Sequence, residues 1–149
     1  MFVLDQNDSY LWPVSIDLPA DRAKKTFTFD GEFRRLEEGS VTELQDKYFK
    51  MLVAMRQRVS VLEGYGGNDA SIFDEPLEIT YEQIADEVLC GWAKVVDSKG
   101  KDIEFNEASK AQMYRVQGAP AAIVQAWMDS VGKPSEKSAA KAGGFRAKN

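Results

Sequence analysis

Residues 89–106 read LCGWAKVVDSKGKDIEFN, and the fold turns on whether this stretch is a ligand loop, a metal loop or a packed corner. Upstream, Thr80-Tyr81-Glu82-Gln83 forms a capping box, with Ile79 and Ile84 placed as a hydrophobic staple. Ile84, Val88, Leu89 and Trp92 then recur at helical spacing, which predicts a helix running into Gly91-Trp92. Val95 and Val96 read as an extended apolar link. Asp97 to Gly100 reads as a turn, with Gly100 at a positive φ that glycine adopts without steric cost. Ile103 and Phe105 pin the start of a further helix, capped by Asn106. A calcium loop fails on its own spacing. Counted from Asp97, two ligand positions are Lys99 and Lys101, and Asp102 stands where the glycine is required. The stretch therefore reads as architecture. Gly91 is expected to bring two backbones together, Trp92 to drop into the core, and Gly100 and Phe105 to turn and fasten the chain.

Outward from this corner, Ala119-Pro120 opens another helix, with Ile123, Val124, Trp127, Met128 and Val131 on one face and Gly132 at its end. On the N-terminal side, Ser40-Val41-Thr42-Glu43 reads as a capping box. Behind it Val41, Leu44, Tyr48, Leu52, Met55, Val59 and Leu62 make a helical stripe that Phe49 and Val53 widen. The first forty residues read as strand and loop. YLWPVSI (10–16) alternates Trp12, Val14 and Ile16, and Pro13 marks it as an edge strand. TFTFDGEFRRL (26–36) places Phe27, Phe29 and Phe33 on one parity. A hairpin turn at Asp30-Gly31 would set aromatics against charges, so one strand with a bulge at Gly31, partnered by 10–16, is the better reading. The expected fold is α+β: a mainly helical bundle of three to four helices with a small N-terminal antiparallel β-element. One globular domain is expected over 1–132, with a basic tail over 133–149.

Composition narrows the chemistry. The 149 residues contain no histidine, which removes the commonest general base and zinc ligand. The adjacent pairs Asp86-Glu87 and Glu37-Glu38 do not face each other on a helix and make no acid–base dyad. GYGGN (64–68) lacks the strand before it and the Lys-Ser/Thr after it that a phosphate loop needs. The single cysteine, Cys90, permits no intrachain disulfide. No catalytic, metal or cofactor-binding set is expected. The net charge of −5 speaks against nucleic acid as partner, although the tail 133–149 alone carries +4. No run is long and apolar enough for a membrane span, and MFVLDQNDSY is not expected to be a signal peptide.

IADEVLCGWAKVVDSKGKDIEFNEAS (84–109), followed by GAPAAIVQAWMDSV (118–131) and a Lys/Ala-rich end, resembles the tail assembly chaperone family of long-tailed bacteriophages. The upstream TFTFDGEFRRL and the long helix after it fit the same order of elements. The resemblance spans about residues 25–132 and is most specific over 84–106, where it is a packing pattern rather than a chemical one. It implies a non-enzymatic chaperone in the host cytoplasm, absent from the mature virion. Such a protein coats the tape-measure protein, keeps it soluble and helps recruit tail tube subunits; a homo-oligomer is compatible with that role. A structural tail or connector subunit retained in the particle is the alternative. Holding a long amphipathic client calls for an apolar surface with charge around it. The long helix offers Tyr48, Phe49, Met51, Leu52 and Met55 as candidate client-binding residues, against the plainer reading that all of them are core. The N-terminal edge strand around Trp12 is the next candidate.

Overall fold

The computed structural model describes residues 1–64 and 77–132. Its elements, in chain order, are β1 (Ser9–Ala20), β2 (Ala23–Arg34), α1 (Glu38–Leu62), α2 (Tyr81–Val88), β3 (Leu89–Ala93), α3 (Glu107–Tyr114) and α4 (Ala119–Val131). The class is α+β. The described residues divide into two compact units, one formed by 1–37 with 81–132 and the other by 38–64 with 77–80. The tail at 133–149 and most of GYGGN fall outside the described residues.

The first unit is built on a three-stranded antiparallel sheet in the order β1-β2-β3. The β-element is larger than the sequence suggests. β1 and β2 pair over twelve residues each, from Ser9↔Arg34 to Ala20↔Ala23. The turn is Asp21-Arg22, where no glycine announces it, and Arg22 takes φ +65°. β1 is an edge strand, as Pro13 implies. A proline inside a paired strand must turn its nitrogen away from the partner. Pro13 and Pro19 share a parity, so both interrupt the row of N–H groups along the open edge, which guards it against strand addition.

Alternation then sorts the faces. Val14 and Ile16 on β1, with Phe29 and Phe33 on β2, are buried on one face. α4 packs on β1, and α2 and α3 pack on α4, so the helices of this unit rest on the sheet rather than forming a bundle of their own. α4 supplies Ile123, Val124 and Trp127, all inaccessible, and α2 adds Ile84, Ala85 and Val88. Fully burying side chains of this size stabilises the fold by about 1.5–3 kcal/mol each. A hydrogen-bond relay ties α4 to the sheet. Ser130 Oγ donates its one proton to Trp127 O at 2.7 Å, so Tyr10 Oη donates to Ser130 Oγ, also at 2.7 Å.

Two boundaries differ from expectation. The helix expected to run into Gly91-Trp92 stops at Val88, and Leu89–Ala93 is a strand. Arg34 explains the stop: its guanidinium donates to Asp86 O at 3.1 Å and Glu87 O at 2.9 Å, taking carbonyls that the helix C-terminus leaves free. The chain then gains ladder bonds to β2 in place of further helix. The bulge lies here, not at Gly31. Glu32 pairs with Gly91 and Phe33 with Leu89, so Cys90 is the extra residue.

The second unit contains α1, which begins at Glu38. Ser40 is therefore inside the helix rather than its cap. Leu44, Gln45 and Met51 are its buried residues.

Candidate functional site

The corner at 89–106 is built around Trp92. Its ring stands edge-on to Phe29 of β2, with centroids 6.3 Å apart, and edge-on to Phe105 at 4.9 Å. Such T-shaped pairs place the positive ring edge on the negative face. Its Nε1 donates to Ile103 O at 2.8 Å. Trp92 is thus half-buried and joins the sheet to the start of α3, instead of dropping from a helix end into the core.

Between these contacts the chain forms a small antiparallel loop. Ile103 N donates to Val95 O and Asp97 N to Lys101 O, each at 2.8 Å, and Val96 bridges Asp102. Asp97 Oδ1 accepts from the backbone N–H of Lys99 and Lys101, and Gly100, at φ +81°, donates to Asp97 O. Asp97 thus spends one carboxylate oxygen on the turn itself, as the architectural reading expects. Asn106 then caps α3 through a reciprocal box with Ser109, and buried Ser109 also donates to Glu104 O at 2.7 Å.

Around Gly91 the nearest atoms are those of the Glu32 side chain and not the second backbone expected there. A Cβ there would meet Glu32 at 3.4 Å, an ordinary contact. The crowded glycine is Gly31, where a Cβ would lie 3.1 Å from the Phe33 ring and from Val14 Cγ2. Gly31 sits in register between Trp12 on β1 and Trp92 on β3, and the Phe33 ring fills the space its missing side chain leaves. The Trp-Gly-Trp register was not legible in the sequence, because it pairs Gly31 with a strand residue far along the chain, Trp92; the sequence pointed to a bulge at Gly31 instead.

Two polar clusters lie at the edges of this unit. Tyr114 Oη donates to Asp86 Oδ1 at 2.8 Å, and Lys110 Nζ reaches the same oxygen at 3.1 Å and Glu107 Oε1 at 3.3 Å. The cluster clips α3 to α2. Burial, then the hydrogen bond to Asp86, pushes the Tyr114 hydroxyl well above the usual tyrosine range. Burial pulls the Lys110 ammonium down, but hydrogen bonds to Asp86 and Glu107 and their charges outweigh it and leave it raised. In the second cluster Ser9 Oγ donates to Glu32 Oε2 at 3.2 Å, and Cys90 Sγ lies 3.4 Å from the same oxygen. Burial and the neighbouring Glu32 carboxylate push the Cys90 thiol up, away from the reactive thiolate. Among the described residues, no three His, Cys, Asp or Glu side chains group so as to hold a metal ion. No helix among them is long and apolar enough to cross a membrane.

Of the candidate client-binding residues on α1, Met51 is only 3 % exposed and presents no surface, while Tyr48, Phe49, Leu52 and Met55 are half-buried. Tyr48 and Phe49 pack edge to face with centroids 5.5 Å apart. The open apolar positions are Val53 at 55 %, Val59 at 50 % and Leu62 at 75 % exposure, in the second half of the helix, interleaved with Lys50, Arg56 and Arg58. The stripe was legible, but which of its residues stay in solvent was not, since spacing alone does not say where burial ends.

Comparison of the chain with protein-family models, with curated proteins and with solved structures finds no match.

Proposed function

We propose that this chain is a non-enzymatic tail assembly chaperone of a long-tailed bacteriophage, which binds the tape-measure protein, keeps it soluble and helps recruit tail tube subunits. The observation that carries the reading is the exposed apolar pair Val59 and Leu62, which continues the Tyr48, Leu52 and Met55 face of α1 and is flanked round the helix by Arg56 and Arg58. A client with exposed apolar helix faces and carboxylates beside them fits such a surface through burial and charge together. The sequence resemblance over 84–106 supports the same reading, and there the residues serve to fix the corner rather than to bind. In this proposal the protein works in the host cytoplasm and leaves before the particle is complete.

The half-buried Tyr48, Phe49, Leu52 and Met55 form the shoulder of the client surface, and Met51 supports it from below. The test is capture of a tape-measure segment by the wild-type chain and by Val59→Asp and Leu62→Asp variants. Both positions are exposed, so folding is expected to survive, and capture is expected to fall at least tenfold. Two folded variants that bind like wild type would remove α1 from the proposal.

The alternative, a structural subunit retained in the tail, is favoured by the far half of the β1–β2 hairpin, which is largely exposed and suits subunit-to-subunit contact. Mass spectrometry of purified particles separates the two: presence of the chain at structural stoichiometry supports the subunit, and its absence supports the chaperone.

A further inference from the structure

On α1, Tyr48, Leu52, Met55, Val59 and Leu62 follow one another at steps of 4, 3, 4 and 3 residues. That is heptad spacing, with Leu52 and Val59 at one seam position and Tyr48, Met55 and Leu62 at the other. The seam runs about 21 Å along the helix. Its burial runs out on the way. Leu44, on the same side one turn earlier, and Met51, at the margin, are each 3 % exposed. Tyr48, Leu52 and Met55 are half-buried, and Val59 and Leu62 stand at 50 % and 75 %. The seam is closed at its start and opens towards the end of the helix.

Charge is arranged about the open part in the positions that a heptad reserves for pairing. Arg56 directly follows Met55 and Arg58 directly precedes Val59. They lie on opposite sides of the seam, Arg56 about 60° round the helix from Val59 and Arg58 about 40° from Leu62. No Asp or Glu occurs between Lys47 and Leu62, and the acids of α1, Glu38, Glu43 and Asp46, all come earlier. Cations near a helix C-terminus also complement its dipole. The dipole does not require them to bracket an exposed apolar seam.

These features set the shape and charge of an occupant. Steps of 3 and 4 residues rise about 4.5 and 6 Å, and a second helix crossing at about 20° keeps such a seam in contact along its length. A strand repeats on one face every 6.6 Å or so, about twice its rise per residue, and falls out of step. Arginines at the flanks are matched by carboxylates at the flanks of the partner. A second copy of α1 would bring Arg56 and Arg58 again and set like charges together.

We propose that the open seam of α1 takes a single partner helix in a short coiled coil, one whose apolar residues repeat at heptad spacing and whose flanking positions are Glu or Asp. This rests on the reading of α1 as the client surface and names the element of the client that it recognises. Three labelled synthetic peptides, each about three heptads long, are titrated with the full chain and followed by fluorescence anisotropy at low salt. The first has Leu at both seam positions and Glu at the flanks. The second has Lys in place of each Glu, and the third has the composition of the first with Leu at alternate residues. The first is expected to bind at least about tenfold more tightly than either of the others, and more weakly as salt rises. Arg56→Glu is expected to narrow or reverse the preference over the Lys-flanked peptide. Arg56 is exposed, so this variant is expected to keep the wild-type circular dichroism spectrum. Equal binding of the three peptides, no binding of the first, or a preference untouched by Arg56→Glu would overturn the proposal. A chain that captures a tape-measure segment without discriminating the peptides loses this inference and keeps the proposed function. A chain that discriminates them but captures no tape-measure segment keeps the helix recognition and loses the tape-measure role.

Discussion

Two tryptophans of this chain are set in opposite circumstances, and their contributions to stability should follow hydrogen bonding more than depth. Trp127 is inaccessible, yet its Nε1 has no partner, a desolvation cost of about 1–3 kcal/mol. Trp92 is half-buried and its Nε1 is bonded to Ile103 O. Trp127→Phe removes volume and the unpaired donor together, so its net cost is expected at about 1 kcal/mol. Trp92→Phe strands the Ile103 carbonyl and is expected to cost about 2 kcal/mol, with Trp92→Ala nearer 3–4 kcal/mol. Urea titration of the three variants checks the order; Trp127→Phe as the costlier phenylalanine substitution would contradict it. Tyr114 and Lys110 give a pH signature. Both hold their protons to higher pH in the folded chain than in the unfolded one. Their stabilisation is therefore whole below about pH 10, the unfolded range of both groups, and is lost as pH climbs through the folded values. The melting temperature is expected to fall above pH 10, and Tyr114→Phe to fall less over the same interval. The raised Cys90 thiol should also alkylate far more slowly at pH 8 in the folded chain than in denaturant, read by mass spectrometry.

At the scale of elements, caps and turns separate what is local from what is not. Asn106→Ala is expected to cost about 1 kcal/mol, because it removes the side-chain acceptor for Ser109 N and leaves only the Asn106 N–H to Ser109 Oγ half of the box. Ser40→Ala is expected to change stability by less than about 0.5 kcal/mol, because Ser40 lies within α1 rather than at its cap. Equal losses at the two positions, by thermal melting, would contradict the helix start at Glu38. Those features were legible where short-range chemistry decides. The Asn106 cap, the Asp97–Gly100 turn and Pro120 in the first turn of α4 each stand on a few neighbouring residues. The pairing of β1 with the 26–33 segment was legible from alternation. Leu89–Ala93 was not, since Val88, Leu89 and Trp92 also fit helical spacing. What overrides that spacing is the partner strand and the Arg34 guanidinium, both distant in the chain. The Asp21-Arg22 turn was missed for a different reason: a residue with a full side chain holds the positive φ that usually falls to glycine. Gly31 was noticed, but its role needs the Phe33 ring and Val14 around it. Gly31→Ala is expected to cost about 1–3 kcal/mol from that crowding.

For the whole molecule, the sheet-based unit reads as scaffold, and the surfaces left over are the second half of α1, the hairpin arm and the N-terminal segment. Of the residues singled out on α1 from sequence, the stripe itself was legible, while the inaccessibility of Met51 and the exposure of Val53, Val59 and Leu62 depend on packing that periodicity does not carry. Under the proposed function, this chain holds a tape-measure protein in solution. Its most direct test is co-expression of the cognate tape-measure protein with and without this chain, followed by measurement of the soluble fraction and of the mass of any purified complex. The expected result is a tape-measure protein that is insoluble alone and, with this chain, recovered as a soluble complex carrying many copies of it. A tape-measure protein equally soluble without the chain, or soluble with it but purifying free of it, would contradict the claim.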